Sequence, residues 1–177
     1  TPAASLLGVC DSAGAVRHYR GNIFASNGTA GENRTVNDVE IESYVRGVIP
    51  RESPASWADR GNGTGINALK AQAVAARSYG LAQGGGLTNR RYSYAKTCDT
   101  TNCQVYGGTG TRTSATANIV AIEDWRSDRA VAETALMIRV RPATPLVPVS
   151  TEFSSSNGDR TAGVNFPAVD DPGDKID

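Results

Sequence analysis

Apolar and polar positions change period several times along the 177-residue chain. From Ala15 to Ala25 (AVRHYRGNIFA), β-branched and aromatic residues partly alternate with polar ones, the pattern of a strand. Asn27-Gly28 is a turn signal, and Arg34-Thr35-Val36 reads as a second short strand after a polar loop. Asn37 followed three residues later by Glu40 has the form of a capping box. Ile41, Tyr44, Val45 and Val48 then recur at helical spacing, so a helix is expected from about Asp38 to Val48, ended by Pro50. A Gly/Asn-rich loop at 61–65 leads into an alanine-rich stretch, Ile66 to Gln83, stopped by Gly84-Gly85-Gly86. Alanine is the best helix former and a triple glycine a strong stop, so this is the most secure helix, and its small side chains place it centrally.

Residues 88–113 are polar and turn-rich. Short helices are expected at 115–121 and 130–134, a strand at 136–140, extended chain at 145–153 and loop from 154 to 177. No β-α-β rhythm or glycine-rich phosphate loop is present. The expected class is α+β, a mixed, mainly antiparallel sheet packed around the alanine-rich helix, with long loops.

Composition narrows the function classes. Eighteen Lys+Arg balance eighteen Asp+Glu, which argues against a bulk nucleic-acid binder. No apolar run approaches the ~18 residues of a membrane span. The length fits roughly one domain. Three cysteines do not make a disulfide-dense scaffold. The spacing of Cys98 and Cys103 permits either a small disulfide loop or two ligands of one metal, while Cys10 reads as a small buried hydrophobe.

With one histidine, His18, and no nucleophile signature near it, carboxylates are the remaining chemistry. Glu52 stands between Pro50 and Pro54, among apolar residues and close to Trp57, where the prolines stiffen the backbone. A carboxyl group in a partly apolar cleft can act as a general acid near neutral pH, whereas an ordinary role would be pairing with Arg51 or capping a helix. Lys70 and Arg77 lie close to two turns apart on one face of the alanine-rich helix, roughly 10 Å from each other. They are either its solvated side or, if the helix is central, cations that need partners.

Four separated segments together resemble the stage II sporulation protein D family, which includes the LytB amidase-enhancer proteins. They are Glu42–Trp57 (ESYVRGVIPRESPASW), Ala68–Tyr79 (ALKAQAVAARSY), Cys98–Tyr106 (CDTTNCQVY) and Phe153–Thr161 (FSSSNGDRT), with Val169-Asp-Asp-Pro172 after them. The resemblance runs in the family's order from about Tyr19 to Pro172. It implies a single domain over 1–177, shortened at its C-terminal end, on the extracytoplasmic side of a bacterium, secreted or in the cell envelope. Its implied activity is that of a lytic transglycosylase on peptidoglycan strands stripped of stem peptides. The alternative is a non-catalytic peptidoglycan-binding module that stimulates a cell-wall amidase.

On this resemblance the catalytic glutamate falls on Glu52, and the family's lysine and arginine on Lys70 and Arg77, whose charges would suit the muramic lactyl carboxylate. Gln104 and Tyr106 are candidates for the same groove, Tyr106 by stacking on a pyranose face, and Ser155, Ser156 and Thr161 for hydrogen bonds to sugar hydroxyls. Some members carry a histidine before the second cysteine and bind zinc there. Asn102 occupies that position here, so a Cys98–Cys103 disulfide is expected in place of zinc, with no other cofactor. Asp159 stands where a second glycine is common. The carbohydrate chemistry is consistent with one carboxylate, because the sugar's own 6-hydroxyl attacks the anomeric carbon and no water has to be activated; hydrolytic glycosidases generally need two.

Overall fold

The computed structural model describes residues 6–27, 33–143, 145–151 and 153. Its strands are β1 (Leu7–Cys10), β2 (Val16–Tyr19), β3 (Asn22–Asn27), β4 (Asn33–Asp38), β5 (Gly110–Arg112), β6 (Val120–Ala121), β7 (Val140–Arg141) and β8 (Val147–Pro148). Its helices are α1 (Ile41–Glu52), α2 (Ile66–Ala82) and α3 (Trp125–Glu133), with 3-10 turns at Ala55–Asp59 and Gln83–Gly85. This is an α+β architecture with long loops, and every strand pairing described is antiparallel. Four strands form one sheet in the order β1-β2-β5-β6, and β3-β4 and β7-β8 are separate two-stranded ribbons.

The single strand expected over Ala15–Ala25 is broken at Arg20-Gly21, because Gly21 takes φ +77°, which turns β2 away from β3. The capping box is not used. Asn37 belongs to β4, and its side-chain amide donates to the Arg20 and Asn22 carbonyls (2.8 and 3.1 Å). Helix α1 starts three residues later than expected, after Glu40, with no side-chain cap.

Pro50 does not end α1 either. A proline costs the helix the bond to Arg46 and crowds that carbonyl. Here that loss falls near the helix end, and the chain stays helical through Glu52 before Ser53 N–H closes on the Ile49 carbonyl at 2.8 Å. Pro54 holds Ser53 in extended backbone, φ −140° and ψ 130°. Residues 115–121 are not helical: Val120 and Ala121 pair with Thr111 and Gly110 in the sheet. Of the strand expected at 136–140 only Val140 is in one, and Cys10 is an exposed thiol, not a buried hydrophobe.

The core is mainly interhelical. Tyr44, Val45, Val48 and Ile49 of α1 meet Leu69, Ala73 and Ala76 of α2 and Ala130 and Val131 of α3, with Tyr106 closing one side. Leu69, Ala73 and Ala76 form one buried stripe of α2, and the two alanines let its neighbours approach. Extensive contacts of α2 are made with α1, α3, the 55–59 turn and β8. The four-stranded sheet joins this core through residues 106–109: Thr109 N–H donates to the His18 carbonyl at 2.8 Å, and the Tyr19 and Tyr106 rings lie 5.9 Å apart. Gly47 lets α1 touch that segment. A Cβ there would stand 2.5 Å from Tyr106 Cε2 and 2.9 Å from the Gly108 carbonyl, and Gly107 N–H donates to the Gly47 carbonyl at 3.0 Å.

Candidate functional site

Because α1 runs on through Pro50, its last residue, Glu52, is carried to the 101–105 segment. Val105 N–H donates to Glu52 Oε1 at 2.8 Å. The carboxylate is half-buried and lines a hollow of about 240 Å³ together with Tyr79 of α2, residues 101–105 and Phe153. Among these lining residues it is the sole carboxylate. Asp59 is not among the lining residues and pairs with Arg126 at 2.6 Å.

The 101–105 wall is tied by covalent and local bonds. Cys98 and Cys103 form a disulfide, Cys103 N–H donates to the Thr100 carbonyl at 2.9 Å, and Tyr106 N–H to the Asp99 carbonyl at 3.3 Å. Gln104 follows the disulfide with 1% exposure, and its Oε1 accepts the Tyr44 hydroxyl proton at 3.1 Å. Burial, reinforced by the nearby Tyr79, Tyr106 and Glu52, pushes the Tyr44 phenol far above its ordinary range, so Tyr44 remains a protonated donor. Gln104 Nε2 has no partner among the described residues.

Of the expected site residues, the structure brings Glu52 and Gln104 to one hollow. Tyr106 is elsewhere. It is 5% exposed, its hydroxyl donates to Asn37 Oδ1 at 2.9 Å, and its ring packs between Tyr19 and Tyr44, with no face left for a sugar. It backs a separate groove of about 740 Å³ between the β3–β4 ribbon and residues 87–99.

Lys70 and Arg77 do not line the Glu52 hollow. Lys70 pairs with Glu133 of α3 at 2.5 Å. Arg77, 1% exposed, makes a two-pronged pair with Glu42 of α1 (2.8 and 2.7 Å) and donates to the Met137 carbonyl at 2.9 Å. Buried cations need such partners, and both charges are already satisfied within the helical layer. Ser155, Ser156 and Thr161 lie outside the described residues.

Five lining residues, Tyr79, Thr101, Asn102, Val105 and Phe153, are absent from the candidates that the sequence offered. Tyr79 lies in a quoted segment but carries no motif of its own, and the Val105 donor is a backbone group that residue identity does not encode. Among the described residues no group of three or more His, Cys, Asp and Glu is placed to hold a metal ion, and no helix is long and apolar enough to cross a membrane.

The family model for the stage II sporulation protein (SpoIID) matches residues 29–140, which include Glu52, both cysteines of the disulfide and Gln104 but not the 153–161 segment. Over 73 residues, 41% of this chain, it is 41% identical to an uncharacterized protein of Brachyspira hyodysenteriae. Over 64 residues, 36% of this chain, it is 44% identical to the amidase enhancer of Bacillus subtilis. These matches span 17% and 7% of the two relatives' own lengths. No solved structure matches. With well over half of its residues inside that family model, the chain belongs to the SpoIID family of stage II sporulation proteins.

Proposed function

We propose that residues 1–177 form one glycan-binding domain that acts on peptidoglycan outside the cytoplasmic membrane, and that Glu52 cleaves strands lacking stem peptides. The observation that carries this reading is the hollow in which Glu52 is the sole carboxylate among the described lining residues, oriented by the Val105 N–H at 2.8 Å.

One carboxyl group suffices for a lytic step. As an acid, Glu52 gives its proton to the glycosidic oxygen as the bond to the anomeric carbon breaks. As a carboxylate, it takes the proton of the same sugar's 6-hydroxyl while that oxygen bonds to the anomeric carbon, leaving a 1,6-anhydro end and no consumed water. Hydrolysis would need a second carboxylate beside the scissile bond. Lys70 and Arg77 have no part in this reading, since both are paired within the helical layer.

A second reading, stimulation of a wall amidase by a domain that binds but does not cut, is favoured by the name of the Bacillus subtilis relative. Peptide-free glycan strands digested with the wild type and with Glu52→Gln, read by mass spectrometry, separate the two. Anhydro ends from the wild type alone support cleavage. Binding without cleavage, together with faster release of stem peptides by an added wall amidase, supports stimulation. Reducing ends would mean hydrolysis and overturn the lytic mechanism.

A further inference from the structure

The groove of about 740 Å³ beside the β3–β4 ribbon has no part in the reading above. Every residue from Arg34 to Asp38 of β4 lines it, and Val39 after them. Successive side chains of a strand point to opposite faces, so a groove lying on one face would touch alternate residues. A groove touched by an unbroken run lies along the strand's edge. The other edge of β4 is taken by β3, through six consecutive pairs from Asn22 with Asp38 to Asn27 with Asn33. The ribbon has no third strand, and from Thr35 to Asp38 no N–H or C=O bonds to backbone outside it among the described residues. Every second residue of β4 thus turns an N–H and a C=O toward the groove, a row repeating at about 6.8 Å.

Natural sheets often blunt such an edge with a bulge or a proline. The register of β4 is regular and its sequence, Asn33-Arg-Thr-Val-Asn-Asp38, holds neither. The walls carry apolar side chains that are open to solvent, Phe24 of β3 (45% exposed) and Leu87 of the facing loop (53% exposed). Their charges lean positive. Arg34, Arg90 and Lys96 line the groove against Asp38 and Asp99, and Asp99 has Arg17 at 3.8 Å.

We propose that β4 takes an extended, acidic peptide segment of a partner protein as a third strand. Its main chain bonds to the outer edge of β4, its apolar side chains meet Phe24 and Leu87, and its carboxylates face Arg34 and Arg90. A helix keeps its N–H and C=O groups for its own turns, and a glycan's hydroxyls do not repeat with a strand's period, whereas an extended peptide matches this edge. The occupant need not reach Glu52: Cys98 lines the groove and Cys103 the hollow, so the two sites flank the disulfide loop. The proposal therefore stands apart from the cleavage reading.

The test is selection from a phage-displayed library of random decapeptides on the whole chain, followed by synthesis of the best binder. Enriched sequences should hold acids, place β-branched residues at alternate positions and lack internal proline. The synthetic peptide should slow hydrogen exchange at alternate amides from Thr35 to Asp38. Its N-methylated form should bind about tenfold more weakly, and Arg34→Glu should weaken the parent peptide about threefold. No enrichment, equal binding of the N-methylated form, binding unchanged by Arg34→Glu, or slowing confined to other amides overturns the proposal. Protection of the whole β4 edge in the free chain at every concentration would mean that the chain itself covers it. Protection that grows with concentration would mean a second copy. Slowing of these amides by peptide-free glycan strands would make the groove a glycan site. Each of these three results also overturns a partner peptide.

Discussion

Arg77 of α2 grips Glu42 of α1 through two parallel bonds, Nε to Oε1 at 2.8 Å and Nη2 to Oε2 at 2.7 Å, and its remaining Nη1 donates to the Met137 carbonyl at 2.9 Å. Glu42 Oε1 also accepts Leu136 N–H at 3.3 Å. One ion pair thus binds two helices and the turn after α3. Removing one member leaves a buried charge without its partner, which is costlier than removing both.

Arg77→Met should therefore lower stability by about 3–5 kcal/mol, seen as a fall in Tm of roughly 10 °C. The Arg77→Met, Glu42→Gln double variant should lose less than the sum of the two single losses. Calorimetric melting of the three variants checks this, with glycan affinity measured well below the melting range. A variant that keeps its Tm and loses affinity would return Arg77 to the binding surface.

Removing the disulfide with Cys98→Ser and Cys103→Ser should cost about 2 kcal/mol, as expected for so short a loop. The larger effect should fall on cleavage, because the peptide that donates to Glu52 begins immediately after this loop. Comparing anhydro yield with chemical-denaturation stability for the same variant checks it. Parallel losses explained by unfolding alone would show that the loop does not present the site.

Asp128, in the first turn of α3, carries a buried Oδ1 without a partner among the described residues. Burial, then the neighbouring Glu123, raises its carboxyl above the ordinary range against the opposing pull of Arg46 and Arg20. Below the unfolded value of about 3.9 both states hold the proton and the group is neutral to stability. As pH rises past that value the unfolded chain ionises first, so stability falls across the interval up to the folded-state value and stays reduced above it. Asp128→Asn should raise Tm at pH 7 and change it little at pH 3. A stabilisation of the same size at both pH values would show that the carboxyl's ionisation is not the cause.

Tyr106→Phe should remove the 2.9 Å bond to Asn37 and lower stability by about 1 kcal/mol. Asn37 keeps its bonds to the Arg20 and Asn22 carbonyls, so the β3–β4 ribbon should hold. Glycan affinity should not change. Weaker binding at unchanged Tm would instead indicate that the hydroxyl reaches a ligand.

What the sequence made legible follows the range of the forces involved. Helix α2 was legible almost to its ends, because alanine propensity and a glycine stop are local properties. The start of α1 was not, since Asn37 has the local look of a cap and a tertiary use: its amide is held by β2–β3 backbone and by Tyr106. Pro50 misleads for a related reason. Its cost is real, but it falls near a helix end stabilised by Val45, Val48 and Ile49 in the core. At the site, Glu52 stood out by its neighbours in the chain. The cations on α2 were visible, yet the partner of Arg77 lies thirty-five residues earlier and that of Lys70 on α3, and spacing along one helix cannot show either. Tyr106 reads as an available aromatic until Tyr19 and Tyr44 are seen to cover it.

The contact at Gly47 acts as a gauge for the carboxylate. Helix α1 rests on Tyr106 and the Gly108 carbonyl at a point where no side chain intervenes, and Glu52 lies five residues further on, about 7.5 Å along the axis. The same 104–108 strip of chain supplies both the resting surface and the N–H that meets Glu52. Any atom added at position 47 would wedge the helix off that strip and lengthen a 2.8 Å bond some turn and a half away. The precision of the acid is thus set by an empty place on the opposite stretch of its own helix, and a methyl group there would detune the site without touching it.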